Sequence, residues 1–323
     1  MSHAIKVHQT GGPDELRWEA VEVGELGPGQ VRLHHHAVGL NYIDVYHRTG
    51  LYPQPQPFVP GVEGAGVVEA VGHGVTNVAV GDRVAYAGPI GSYAEERLID
   101  AAQLVAIPAD IDFDTAAAMM LQGLTVDMLI NRVRPLKADE TILVHAAAGG
   151  VGLILCQWAK AIGATVIGTV SSDAKAEFAR AHGCDYPIVT SRDDFVAEVI
   201  RITDGKKLPV VYDSVGKDSF VRSLDCLARR GMLVSFGQAS GPVTDFQPGM
   251  LAQKGSLYLT RPTLFDYIAT RPELEAGSEA LFAMVRSGKV RIEIGQRFAL
   301  SDAAAAHRAL EARQTTGSTV LTV

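Results

Sequence analysis

A chain of 323 residues is long enough for two domains with separate cores, and its 47% apolar and 20% charged residues are ordinary for a globular protein. A net charge of −7, with Lys and Arg scattered, gives no electrostatic footprint for nucleic acid, and no apolar run approaches the ~18 residues of a membrane span. The N-terminus lacks a signal-peptide core, and Cys156, Cys184 and Cys226 are far apart and odd in number, so no disulfide framework and a cytoplasmic location are expected.

The first part of the chain is rich in Gly, Val and Pro. Short alternating strands are predicted at 4–8, 30–39, 64–71 and 82–87, separated by turn signals such as Gly27-Pro28-Gly29 and Gly81-Asp82. That is the texture of a partly closed β domain. Helical composition follows over 115–130. From Thr141 the texture changes to a strand–helix rhythm, with strands at 141–145, 164–170, 187–189, 209–213, 232–236 and 256–260. Helices are predicted at 153–162, 173–182 and 193–203. Six strands in this rhythm predict an α/β fold with a doubly wound, six-stranded parallel sheet. After Arg261-Pro262 come two helices, near 273–287 and 301–313, and a strand at 318–323 that returns to complete the first domain. The expected domains are 1–121 completed by 262–323, and 122–261.

The turn Val144-His145-Ala146-Ala147-Ala148-Gly149-Gly150-Val151-Gly152 joins the first strand of the rhythm to its helix. Ala147, Gly149 and Gly152 take the three positions of a G-x-G-x-x-G fingerprint. Small residues let the backbone approach a pyrophosphate, and the helix N-terminus presents N–H groups to the anion. In an NAD-selective sheet an acid ends the second strand and binds the ribose 2′-OH. Here Val170, Ser171 and Ser172 stand at that end, and Lys175 follows. Two hydroxyls and a cation suit a 2′-phosphate, so NADPH is the expected cofactor; a merely solvated Lys175 is the plainer reading. Asp173 opposes a phosphate or simply starts the helix, where the dipole favours an acid.

Beyond these features the chain resembles the medium-chain dehydrogenase/reductases, and among them the zinc-free bacterial NADPH:quinone oxidoreductases related to zeta-crystallin. The resemblance rests on Gly39-Leu40-Asn41-Tyr42-Ile43-Asp44, Gly50-Leu51-Tyr52-Pro53, Gly61-Val62-Glu63-Gly64-Ala65-Gly66 and Gly81-Asp82-Arg83-Val84. It continues through Gly123-Leu124-Thr125, the glycine turn, Val211-Tyr212-Asp213-Ser214-Val215-Gly216 and Thr260-Arg261-Pro262. It implies a GroES-like β domain plus a Rossmann domain, a homodimer, and a substrate cleft over the nicotinamide. Zinc-dependent relatives carry a Cys at the position of Asn41 and a His at that of Val62; both zinc ligands are missing, so no metal is expected, and Glu63 is assigned to packing and hydrogen bonding.

The same resemblance implies residue roles. Asn41, Ile43 and Asp44 lie beside the nicotinamide, and Gly149, Gly150 and Val151 hold the pyrophosphate. Ser171 and Lys175 contact the 2′-phosphate, and Arg313 reaches the cofactor from the C-terminal segment. Thr125, Thr190, Ser214, Phe236 and Gly237 complete the cofactor set. Relatives carry a tyrosine of an Asn-Tyr pair where Val189-Thr190 stands, so the stacking surface is lost here. Tyr46 and Asn41 are the catalytic candidates, as donors to the acceptor oxygen, with Tyr52 and Arg261 on the cleft wall. His34-His35-His36 is read as an ordinary strand, since only His34 and His36 share a face, and Cys156 as a core residue. The expected activity is hydride transfer from NADPH to a quinone or related conjugated carbonyl. The alternatives are an enone or enoyl-thioester reductase, and a protein that binds AU-rich RNA or serves structurally as crystallins do.

Overall fold

Alternating apolar side chains build one sheet of this protein, and continuous apolar runs build the other. The computed structural model describes residues 1–323 and divides into two units. Unit one comprises Met1–Leu124, Ile268–Ala283 and Ile292–Val323; unit two comprises Thr125–Tyr267 and Met284–Arg291.

In chain order, unit one holds β1 (Ser2–Lys6), β2 (Arg17–Val21), β3 (Gln30–Leu40), β4 (Glu63–Val71), β5 (Arg83–Ala87), β6 (Glu96–Asp100) and β7 (Val105–Ala106). Its helix α1 (Tyr42–Thr49) follows β3 directly. Unit two follows with β8 (Thr141–Val144), β9 (Thr165–Val170), β10 (Tyr186–Val189), β11 (Leu208–Asp213), β12 (Leu227–Ser235) and β13 (Tyr258–Thr260). The chain closes with β14 (Ile294–Ala299) and β15 (Ser318–Thr322) in unit one.

The sheet of unit one runs β14-β15-β3-β4-β5-β7, with β6 also on β3. The long β3 pairs antiparallel with β15, β4 and β6. Two register shifts against β4, between Arg32/Leu33 and His35/Ala37, bend it enough to serve all three partners. Ile5, Val38, Leu40, Tyr93 and Leu321 form one core, and Val31, Leu33, Val68, Val84 and Leu104 a second.

Unit two is the expected doubly wound sheet, parallel throughout, in the order β10-β9-β8-β11-β12-β13. The strand order reverses between β8 and β11, which makes that point the ligand crevice of such a sheet. Leu233, Val211, Leu143 and Ile167 stand in register across β12, β11, β8 and β9. All four are fully buried, as strands covered on both faces require. In sequence order the helices here are α2 (Gly150–Ile162), α3 (Asp173–Ala181), α4 (Phe195–Ile202) and α5 (Phe220–Asp225).

Three details depart from the sequence reading. The helix expected over 115–130 is broken: Phe113–Ala117 ends at Ala118, Met120–Asp127 follows, and Met128–Val133 forms a wide π-type turn. Strand β14 was not foreseen, because it is a half-exposed edge whose order comes from its partner β15. Residues 262–267 and Met284–Arg291 fall in unit two, although 262–323 is expected in the first domain, and 122–124 fall in unit one. For Met284–Arg291 the cause is a reciprocal bond: Gln157 Nε2 donates to the Arg291 carbonyl at 3.0 Å, and the Arg291 N–H donates to Gln157 Oε1 at 2.8 Å.

Truncating the in-register row of unit two leaves a cavity that the packed strands cannot collapse. Leu143→Ala is expected to destabilise the protein by about 2–5 kcal/mol. A urea midpoint that does not move would show that Leu143 is not a core position.

Candidate active site

The cofactor residues expected in unit two, and Arg261 of the expected cleft wall, come from different strands, and the structure brings them to one edge. Gly149–Val151 follow β8, Ser171 and Lys175 follow β9, Thr190 follows β10, and Ser214 follows β11. Phe236 and Gly237 follow β12, and Arg261 follows β13. All stand at the carboxyl ends of parallel strands, where ligands of this fold bind.

The glycine turn is built for close approach. Ala146 takes a positive φ of 54°, and Gly149 donates its N–H to the Ala146 carbonyl at 2.9 Å. A Cβ on Gly152 would lie 2.3 Å from the Ala146 carbonyl oxygen, so only glycine lets α2 pack this tightly on the turn. A Cβ on Gly149 would meet nothing nearer than that same oxygen, at 3.3 Å. The space over Gly149 is therefore open, and no side chain caps the thirteen-residue α2. An uncapped helix N-terminus beneath an open cradle fits a pyrophosphate.

A second layer holds the edge from below. The Asp213 carboxylate is fully buried and accepts from the N–H groups of Val215 and Gly216 and the Ser219 hydroxyl. His145 lies between Thr169 Oγ1 and Ser223 Oγ, each at 2.9 Å. Asp213 thus ties a turn and does not face a ligand. Phe236 N–H donates to the Asp213 carbonyl at 2.8 Å, which sets Phe236 and Gly237 beside Ser214. Arg261 Nη1 donates to the Ser235 carbonyl at 2.9 Å; both residues line a cavity of about 240 Å³ with Phe220, Gly237, Gln238 and Phe246. Thr125 is buried in the same unit.

At the adenosine end, Ser171 is exposed and Lys175 half-buried. The Ser172 hydroxyl accepts from the Lys175 N–H at 3.3 Å, so it caps α3. Thr190 spends its hydroxyl proton on the Val170 carbonyl at 3.2 Å, and its hydroxyl oxygen remains as an acceptor only. Asp173, the acid of uncertain sign, is paired with Arg192 at 3.0 Å. Sequence reading missed Arg192; nothing local marks it, since the pair spans 19 positions.

In unit one, α1 carries Tyr42 and Tyr46 one turn apart, and the chain leaves the helix through Gly50 at φ 80° to bring Tyr52 back. Tyr46 stacks edge-on to Tyr52 at 5.1 Å between centroids and lies 5.6 Å from Tyr42. The two expected cleft tyrosines are therefore neighbours. Ile43 is half-buried on the same helix, and Arg313 is exposed, with a positive φ of 58°.

Asn41 and Asp44 are both engaged inside unit one. Asn41 Nδ2 donates to Glu63 Oε2 at 2.6 Å, and its Oδ1 accepts from Gln122 Nε2 at 3.2 Å. Only the second N–H of the amide is left for any acceptor. Asp44 has no exposed surface, and it accepts from the Asn41 N–H at 2.9 Å and the Tyr93 hydroxyl at 3.0 Å. Behind it the donors run one way. Arg48 donates to His307 Nδ1 at 3.2 Å, so Nε2 carries the imidazole proton and faces Tyr93 at 3.1 Å. Asp44 positions α1.

A GroES-like β unit joined to a Rossmann unit defines the medium-chain dehydrogenase/reductases. The alcohol dehydrogenase GroES-like domain family matches residues 27–109, and the zinc-binding dehydrogenase family residues 150–273. The chain is 55% identical over 323 residues to a quinone oxidoreductase of Pseudomonas aeruginosa, covering 99% of both chains. It is 46% identical over 332 residues to a 2-haloacrylate reductase of Burkholderia sp, again covering 99% of both. The crystal structure of Escherichia coli quinone oxidoreductase complexed with NADPH superposes with a TM-score of 0.98 at 46% identity, covering 99% of this chain and 100% of that one. The chain belongs to the quinone oxidoreductase family within this superfamily.

The zinc named by one matched family does not fit these residues. Around Glu63 the neighbouring groups are the Asn41 amide, the apolar Val62 and the Leu121 N–H, which donates to Glu63 Oε1 at 2.8 Å. A catalytic zinc needs three Cys, His or carboxylate ligands, and only one carboxylate stands here. Both of its oxygens already accept hydrogen bonds.

Burial pushes Glu63 up to about 8 and Asp44 up to about 7. Burial also pulls His35 and His307 down to about 3 and His47 down to about 4. About one pH unit above the ordinary histidine value of 6.5, these histidines, with His36 and His145 whose values burial also lowers, are largely neutral in both the folded and the unfolded chain. Only the two carboxyls then titrate differently. The folded chain keeps protons that the unfolded chain has lost, so stability falls as pH rises. The melting temperature is expected to drop between about pH 7.5 and 8.5, and Glu63→Gln to flatten the drop. A melting temperature that rises over this window in the unaltered protein would refute the assignment.

Proposed function

We propose that this protein transfers hydride from NADPH to a quinone, yielding the hydroquinone and NADP⁺ with uptake of one proton. What carries the reading is the convergence at the carboxyl edge of unit two, in a chain similar throughout its length to quinone oxidoreductases. When bound, NADPH supplies the hydride and the protein supplies binding, orientation and charge stabilisation. Gly150 and Val151 hold the pyrophosphate through the free backbone N–H groups of the helix start, Gly149 lets it approach closely, and Ser171 and Lys175 hold the 2′-phosphate. Thr125, Ser214, Phe236 and Gly237 line the rest of the cofactor's path, and Arg313 adds a cation. Tyr46 donates its phenolic proton to the acceptor oxygen as negative charge develops there. The remaining amide N–H of Asn41 polarises the same oxygen, and Tyr52 holds the Tyr46 ring.

The protein works in the cytoplasm as a homodimer. No helix is long and apolar enough to cross a membrane, and all three cysteines are free and buried. In support of the dimer, β13 is an open sheet edge with Tyr258 exposed, a surface that a second copy covers.

The 46% identity to a 2-haloacrylate reductase favours a second reading, hydride addition to an activated C=C bond. NADPH oxidation with 1,4-benzoquinone, run beside NADH, a 2-haloacrylate and an enoyl thioester, separates the two. Fast quinone turnover with NADPH is expected; turnover with the C=C acceptors alone would transfer the assignment to them. Lys175→Ala is expected to raise the NADPH dissociation constant about tenfold and leave NADH nearly unchanged. An equal effect on both would defeat the 2′-phosphate assignment. Tyr46→Phe is expected to lower kcat about tenfold or more; unchanged kcat and KM would reduce Tyr46 to packing.

A further inference from the structure

An acid beside a phosphate site needs an explanation. Asp173 is the first residue of α3, two positions from Ser171 and two from Lys175. A carboxylate at the end of the second strand is what an NAD-selective sheet uses to bind the ribose 2′-OH. Left unpaired, Asp173 would therefore favour NADH and repel the dianionic 2′-phosphate.

It is not unpaired. Arg192 leaves the loop after β10, and its Nη1 donates to Asp173 Oδ1 at 3.0 Å. Its Nε and Nη2 donate to the two oxygens of Asp193, at 3.0 and 3.1 Å. Three of the five guanidinium N–H donors are thus on carboxylates, and two remain. The side chains of Arg192 and Asp173 are 60% and 77% exposed, so solvent screens the pair and it contributes little to stability. Holding the fold together is not a sufficient reason for it. The local charges give a better one: Lys175 and Arg192 balance Asp173 and Asp193, whereas without Arg192 the site is net negative.

We propose that Arg192 determines coenzyme selectivity, masking Asp173 and offering its remaining N–H groups to a 2′-phosphorylated ribose. Arg192 stands two residues beyond Thr190, whose hydroxyl proton goes to the Val170 carbonyl. The loop that carries no aromatic ring for the adenosine thus carries a guanidinium. Guanidinium binds phosphate oxygens in a planar, often bidentate fork, which a phenol does not match. This inference rests on the 2′-phosphate reading of Ser171 and Lys175.

The test is a cycle of Arg192→Ala, Asp173→Ala and the double variant, with dissociation constants for NADPH, NADH and adenosine 2′,5′-bisphosphate read by fluorescence titration. Arg192→Ala is expected to weaken NADPH and the bisphosphate about tenfold while NADH binds unchanged or more tightly. Asp173→Ala added to Arg192→Ala is expected to recover part of the NADPH affinity, because the unmasked charge is gone. Arg192→Lys is expected to retain part of the preference as a point charge. Equal losses for NADPH and NADH, no loss for either, or no recovery in the double variant would overturn the proposal. Selective loss of NADPH in Lys175→Ala but not in Arg192→Ala would sink this inference alone. An unaltered protein that binds NADH as tightly as NADPH would remove the underlying reading and this inference with it.

Discussion

Unit one is organised around a carboxyl group that water cannot reach. Asp44 has no exposed surface, and a buried polar group without partners is among the more expensive features a fold can carry. Its neighbours follow from that constraint. The Asn41 N–H fixes the first turn of α1, and the Tyr93 hydroxyl fixes the loop before β6. His307 and Arg48 continue the donor chain, and Arg48 ends bidentate on Glu311 at 2.8 and 2.9 Å. One acid thereby ties α1 to the C-terminal helix Ala303–Glu311, more than 250 positions away. Tyr46 sits on the same helix, so the orientation of the proposed proton donor depends on a buried carboxyl.

The second unit repeats the division of labour. Asp213, buried at the end of β11, binds turn N–H groups and two serine hydroxyls, and His145 bridges β9 to α5. These groups are spent inside the protein. What they support is backbone: the glycine turn, the Ser214 loop and the Phe236-Gly237 loop. Recognition of a pyrophosphate by backbone N–H groups needs a rigid frame more than it needs charge. In the reading proposed above, charge selection is left to side chains at the rim, where the exposed Ser171, Asp173 and Arg192 and the half-buried Lys175 lie. Such residues can change without disturbing the frame.

This division also explains what the sequence made legible. The glycine turn, the strand–helix rhythm and the carboxyl-end residues are local signals, each contained within a few positions, and they lead to the doubly wound sheet of unit two. The missing zinc ligands are legible for the same reason, because Asn41 and Val62 are single substitutions in short motifs. The Asn41–Glu63 bond spans 22 positions and Tyr93–His307 spans 214, and neither leaves a periodicity. The internal hydrogen bonds of Asn41 and Asp44 are therefore invisible in the sequence, where only their place in the motif shows. The broken helix near Ala118 escaped for another reason. Its composition is helical throughout, and the break lies where the Leu121 N–H turns to Glu63, a tertiary demand.

Replacing a zinc ligand set by an amide–carboxylate pair restricts the chemistry as well as the metal content. A zinc site stabilises an alkoxide directly as a Lewis acid. The Asn41–Glu63 pair offers at most one N–H, and a phenol such as Tyr46 donates well only to an oxygen whose conjugate acid is of comparable strength, near a pKa of about 10. A simple ketone reduces to an alkoxide far more basic than that, so hydrogen bonding alone stabilises its transition state poorly. A quinone reduces to an aromatic oxyanion of phenolic strength, and a conjugated carbonyl spreads the new charge as an enolate. The donors in unit one are matched to acceptors that delocalise charge themselves. That match suits quinone reduction and separates it from zinc-assisted alcohol oxidation.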